Sequence, residues 1–235
     1  MTELTEIGAF VRAVQRAVLE GHADLAVHSC KDLPVLGPPE LVSFYPKREQ
    51  PWDVLCGHDL DSLPDEARVG TGSPRRVAQM RRLRPDVDIQ DIRGNVDTRL
   101  EKMASGEFDA VILAEAGLRR LGREAEIGHR FGLEEMVPAP AQAALAVEAK
   151  AGSSAAEMAA RIDDLDTRRA IEAERALLAN TNAGCRSALG ALGILDGPTI
   201  RLTGFVQDED GARYGEVEAT ETDQAARQLQ SVLGL

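Results

Sequence analysis

The chain has 235 residues, 43% of them hydrophobic and 28% charged, which is enough to bury a core and to build two or three domains. Its formal net charge of −12 argues against general nucleic-acid binding, which needs a basic face. Three cysteines, Cys30, Cys56 and Cys185, are odd in number and far apart, so neither a disulfide framework nor a zinc ribbon is indicated, and a reducing compartment fits.

An amphipathic helix is predicted over 6–21, with Ile7, Phe10, Val11, Val14 and Val18 on one face. Such a helix needs a sheet to cover, and a unit that opens on it is expected to have lost its first strand. A short apolar strand at 23–27 follows, then the segment 28–34 closed by Pro34, and a second strand at Leu41–Tyr45. Residues 47–51 read as a polar linker ending in proline.

A second unit begins near Trp52. Strands are predicted at Asp53–Cys56, around Val69, at Val87–Ile92 and at Phe108–Ala114, with helices starting after Ser73, at Asn95–Ser105 and at 115–122. Ser73 suits an N-cap, Pro74 the first helical turn, and Gly122 a C-terminal stop. Strands alternating with helices imply a parallel, doubly wound sheet. Residues 137–140 form a second linker, and strand Ala144–Glu148 is placed to return to the first unit's sheet. Two crossings between two α/β units describe a hinged pair of lobes with a cleft between them. Helices near 154–164 and 167–181, a hairpin of strands 199–206 and 212–219, and a helix at 221–233 make a small α+β end. The expected division is 1–48 with 139–160 as domain 1, 52–137 as domain 2 and 166–235 as domain 3.

The segments with chemical potential sit where strands give way to helices. Ser73-Pro74-Arg75-Arg76 combines a hydroxyl, free N–H groups and two cations, and reads as an anion site or as a capped surface helix with solvated arginines. It lacks the Gly-Lys-Ser/Thr ending of a nucleotide-binding phosphate loop. Arg93-Gly94-Asn95 opens the next helix, with Arg99 one turn in, and ligands of open α/β sheets bind at that strand edge. The alternative for Arg99 is a surface ion pair with Glu101 or Glu115. Lys31-Asp32 ends another strand, where Asp32 can steady a cation or move a proton, or can belong to a plain turn. Cys185 lies in a small-residue turn beside Arg186, accessible or core, whereas Cys30 and Cys56 read as core and His28 as structural. No His or Cys spacing indicates a metal.

The stretches ADLAVHSCKDLP, VGTGSPRRVAQ, DIRGNVDTRLEKMASGEFDAVILAEAGLRRLG, VPAPAQAALAVEAK and ERALLANTNAGCRSALG together resemble the porphobilinogen deaminase family, in that family's order and over most of residues 8–190. The resemblance implies two hinged, doubly wound α/β domains like type II periplasmic binding proteins, plus a small α+β C-terminal domain. It implies the hydroxymethylbilane synthase reaction of tetrapyrrole biosynthesis, in which four porphobilinogen molecules join head to tail with release of ammonia. It implies a covalent dipyrromethane cofactor on Cys185 and a catalytic Asp32. Ser29, Lys31, Ser73, Arg75, Arg76, Arg93, Gly94, Arg99, Arg120 and Gln142 match its cofactor- and substrate-binding positions. It further implies a monomer, while the acidity, the lack of a signal pattern or an apolar run of bilayer length, and the His and Cys spacing give the expectation of a cytoplasmic protein without nucleic-acid, membrane or metal partners.

Three departures are visible. The family's opening strand, arginine- and serine-bearing loop, helix and strand have no counterpart before helix 6–21, so the sheet of domain 1 is expected to lack a central part. An inactive relative that binds a polycarboxylate is therefore the alternative reading. Ala141-Gln142-Ala143 stands where the family has Gly-Gln-Gly, and Ala188 where it has proline.

Overall fold

The computed structural model describes residues 3–181 and 188–235. The first part runs α1 (Glu3–Leu19), β1 (Leu25–Ser29), a 3-10 turn (Cys30–Asp32), β2 (Leu41–Phe44), β3 (Asp53–Cys56), β4 (Arg68–Gly70) and α2 (Pro74–Leu83). Next come β5 (Asp88–Gln90), α3 (Val96–Ala104), β6 (Ala110–Ala114), α4 (Glu115–Arg120), β7 (Ile127–Arg130) and β8 (Leu145–Lys150). The remainder is α5 (Ser154–Ala159), α6 (Leu165–Asn180), β9 (Ala188–Asp196), β10 (Thr199–Asp208), β11 (Gly211–Ala219) and α7 (Thr222–Leu233).

Among the described residues the strands form three sheets, ordered β1-β8-β2, β5-β4-β6-β3-β7 and β11-β10-β9. The expectation of a parallel sheet in the second unit holds for only part of it. β4 is parallel to β5 and β6, but β3 is antiparallel to β6 and β7, and β8 is antiparallel to both β1 and β2. The reversed strand in each sheet is the one that arrives from the other sheet, so alternation of strand and helix in sequence does not report its direction. The sequence reading also missed β7 and β9. β7 is short and polar, and β9 is rich in Ala and Gly, so neither carries a strong strand pattern.

The second sheet is covered on both faces. Leu55, Val69 and Ile112 pack on one side with Met80 and Phe131, and Val54, Cys56, Val111 and Leu113 on the other with Leu100 and Leu118. The first sheet is different. Ala26 and His28 of β1 are buried, while Leu25 and Val27 are 39% and 58% exposed, so the other face is open at β1, although Val147 and Ala149 on that face of β8 are buried. α1 buries Val11, Gln15 and Val18, a stripe at helical spacing, and leaves Phe10 67% exposed, against the expected apolar face. The Gln15 amide donates to Glu148 at 2.9 Å, and His28 Nε2 lies 3.2 Å from the same carboxylate, which places that histidine in the structural interior.

The third sheet packs on α6 and α7 through Ala173, Leu177, Ala225, Leu229 and Leu233. It touches both neighbours. Ile171 of α6 joins Val11, Cys30, Ala144 and Ala146 in the core of the first sheet. Val137, Ala188 and Phe205 pack with Ala78 of α2. Gly190 permits that approach, because a Cβ there would lie 2.8 Å from the Val137 carbonyl oxygen. No helix among the described residues is long and apolar enough to cross a membrane.

Candidate active site

The parallel strands β4, β5 and β6 end at one edge of the second sheet, and each end starts a helix. Ser73 caps α2, accepting from the Arg76 N–H at 3.5 Å, and Pro74 fits the first turn, where no N–H is needed. Asn95 caps α3 by accepting from the Thr98 N–H at 2.9 Å. The two loops pack together, since a Cβ on Gly72 would lie 2.9 Å from Asp91 Oδ1. Gly94 has φ +116°, which only glycine adopts without strain, and the Arg99 Nε donates to its carbonyl oxygen at 2.7 Å. Arg93 is exposed and pairs with Asp91 at 2.8 Å.

Arg75 and Arg76 are not open receptors. They are 4% and 6% exposed and share the carboxylate of Asp53, which is fully buried at the start of β3. Arg75 Nη1 donates to Asp53 Oδ2 and to the Val137 carbonyl, both at 2.7 Å. Arg76 Nε donates to Asp53 Oδ1 at 2.8 Å and Nη1 to the Ile112 carbonyl at 2.8 Å. The Gln142 amide adds donors to Asp53 Oδ1 at 3.1 Å and to the Pro51 carbonyl at 2.8 Å. Burial alone raises a carboxyl, but the Arg75 and Arg76 charges and these hydrogen bonds outweigh it and hold Asp53 below the usual carboxylate range.

The first sheet meets this cluster at residues 142–145. Cys30 N–H donates to the Ala144 carbonyl at 2.9 Å, and Ser29 pairs with Leu145. The Arg120 guanidinium, at the end of α4, reaches the Ala143 carbonyl at 2.9 Å. Lys31 and Asp32 are exposed, with enough protein near Lys31 to lower the dielectric at its ammonium. That low-dielectric setting and the neighbouring Arg76 and Arg75 push its ammonium down to about 8, against the opposing pull of Asp32 and Asp53. Ser29, Lys31, Asp32, Ser73, Arg75, Arg76, Arg120 and Gln142 thus gather around one junction, and Arg93, Gly94 and Arg99 occupy the adjoining loop.

Burial pushes the thiols of Cys30 and Cys56 up to about 11 and about 12, which leaves both unreactive in the core. Cys185 lies outside the described residues. The nearest described residues on either side of it are Thr181, at the end of α6, and Ala188, which packs on Val137 beside α2. Since Arg75 donates to the Val137 carbonyl, Ala188 is one contact from the arginine pair.

Sequence reasoning missed Asp53, Arg48 and Glu174, which organise the junction. A carboxylate inside the fully buried strand Asp-Val-Leu-Cys was the available signal, because a buried acid needs a cation.

Residues 1–158 match the family description "Porphobilinogen deaminase, dipyromethane cofactor binding domain", and residues 168–233 match "Porphobilinogen deaminase, C-terminal domain". The chain belongs to the porphobilinogen deaminase family. The porphobilinogen deaminase of Acidothermus cellulolyticus is 45% identical over 236 residues, covering 97% of this chain and 71% of that protein. That of Roseiflexus castenholzii is 46% identical over 209 residues, covering 87% and 69%. Among solved structures, the periplasmic VFT2 domain of Bordetella pertussis BvgS is similar at a TM-score of 0.37 and 15% identity, over 63% of this chain and 64% of that one.

The porphobilinogen deaminase match names a dipyrromethane-type cofactor, and the donor set of this chain suits one. Pyrrole acetate and propionate groups need cations and N–H donors. Lys31 and Arg120 stand as cations at the junction and Arg93 and Arg99 on the next loop, with the buried Arg75, Arg76 and Asp53 cluster beside them.

Proposed function

We propose that this chain catalyses the hydroxymethylbilane synthase reaction, the stepwise head-to-tail condensation of four porphobilinogen molecules with loss of ammonia. The observation that carries the proposal is that Lys31 stands within electrostatic reach of Asp32, Asp53, Arg75 and Arg76, in a chain of this family.

Cys185 would hold dipyrromethane as a thioether, and the group when bound would supply a pyrrole carbon nucleophile. The residues of the chain do the rest. Lys31, Arg93, Arg99 and Arg120 bind substrate carboxylates, with Ser29 and Ser73 as hydroxyl partners. Arg75 and Arg76 set a positive field behind them, and Gly94 lets the backbone come close to the ligand. Loss of ammonia from porphobilinogen leaves a cationic azafulvene, and the Asp32 carboxylate stabilises that charge and moves the pyrrole proton. Gln142 fixes the junction between the two strand systems. The family match supports porphobilinogen as the small-molecule partner.

Purified protein incubated with porphobilinogen tests the proposal by its ammonia release and its linear tetrapyrrole product. Release of one ammonia per porphobilinogen consumed, with hydroxymethylbilane formed, is the expected result. Neither product from folded protein refutes it.

A further inference from the structure

We infer that Asp53 is a positioning residue for the paired guanidiniums of Arg75 and Arg76, so that an internal carboxylate rather than a ligand fixes where those two cations stand. This inference rests on the proposed function, because it names what orients two members of the same site.

The geometry supports it in three ways. Asp53 is fully buried and each of its oxygens takes a different arginine, Oδ2 at 2.7 Å from Arg75 Nη1 and Oδ1 at 2.8 Å from Arg76 Nε. Each guanidinium is also pinned by a carbonyl, Val137 for Arg75 and Ile112 for Arg76, so neither can swing without breaking two bonds. Third, Gln142 ties the carboxylate to the Pro51 carbonyl, which joins the arginine pair to the chain crossing between the two sheets.

Charge count gives the consequence. Two guanidiniums facing one carboxylate leave one net positive charge, and both guanidiniums act on the Lys31 ammonium. An arriving carboxylate meets cations already in place, and the cost of ordering long side chains is met during folding rather than on binding. Without Asp53 the same cations lose their fixed orientation, and a positioning error of this kind costs about tenfold or more.

The test compares wild type, Asp53→Asn, Arg76→Gln and the double variant Asp53→Asn/Arg76→Gln. The double variant keeps the wild-type net charge of the cluster, one positive, whereas Asp53→Asn alone leaves two buried guanidiniums with no counterion and is the more damaging to the fold. Porphobilinogen KM in the double variant should exceed that of Arg76→Gln by about fivefold or more with little further change in kcat, since Arg75 is then released too. Asp163→Asn, which removes an ion pair with Arg168 away from this cluster, serves as control and should lower melting temperature with KM unchanged. Equal KM in Arg76→Gln and the double variant overturns the inference. The Arg75 guanidinium N–H signals in NMR spectra provide a readout independent of turnover. Exchange-protected signals in Arg76→Gln that vanish in the double variant support the positioning role, and signals unchanged there refute it. Absence of turnover in wild type counts against the proposed function alone, and the NMR comparison then decides.

Discussion

Arg48 and Glu174 form a buried two-point ion pair, with Nη1–Oε1 at 2.6 Å and Nη2–Oε2 at 3.2 Å. Arg48 lies on the chain that crosses from the first sheet to the second, and Glu174 on α6. The same carboxylate accepts from the Ala141 N–H at 2.6 Å and the Gly193 N–H at 2.8 Å, and Arg48 Nε donates to the Gln142 carbonyl at 2.8 Å. One pair therefore joins both crossings to the third sheet.

Glu174→Gln should destabilise the chain strongly. It leaves Arg48 charged and nearly buried without its counterion, a loss of about 3–5 kcal/mol. Urea unfolding free energies measure this. A loss below about 1 kcal/mol would mean that the pair is solvated, as surface pairs are.

The alanines around Gln142 adopt left-handed backbone, with φ +61° at Ala141 and +68° at Ala143. An L-residue there costs about 1–2 kcal/mol, a strain glycine does not carry. Ala141→Gly should therefore be less costly than Ala146→Gly, an alanine equally buried within β8, by about 1–2 kcal/mol. Equal losses in chemical denaturation would show that the left-handed strain is not expressed in stability.

Lys31 sets an alkaline limit. Its ammonium loses the proton near 8, so kcat/KM for porphobilinogen should fall as pH rises through about 8. Lys31→Arg keeps the charge and should carry the limb to higher pH. Stability follows the opposite course. The unfolded chain holds this proton up to the ordinary value of 10.5, so unfolding free energy gains from this group between about 8 and 10.5. A pH–rate profile unchanged in Lys31→Arg would remove Lys31 from the binding set.

Much of the edge of the second sheet was legible in the sequence. Ser73 and Asn95 announced their helices because an N-cap is a local hydrogen bond, satisfied within three residues. The contacts that assemble the junction were not legible, because they join residues far apart. Asp53 reaches Gln142 across 89 positions and Arg48 reaches Glu174 across 126. Strand direction was hidden for the same cause, since β3 and β8 take theirs from the sheet they enter. The exposed Phe10 shows the limit of periodicity, because the face a helix buries is chosen by what packs on it.

The central claim is that Cys185 carries a pyrrole cofactor and that Asp32 works on what is attached there. Intact-protein mass spectrometry tests it directly. The purified chain should show a mass increase matching two pyrrole units. Cys185→Ser should lack that increase, and Asp32→Ala should keep it while losing nearly all turnover of porphobilinogen. A folded, soluble chain of unmodified mass after incubation with porphobilinogen, or the same adduct in Cys185→Ser, would contradict the account.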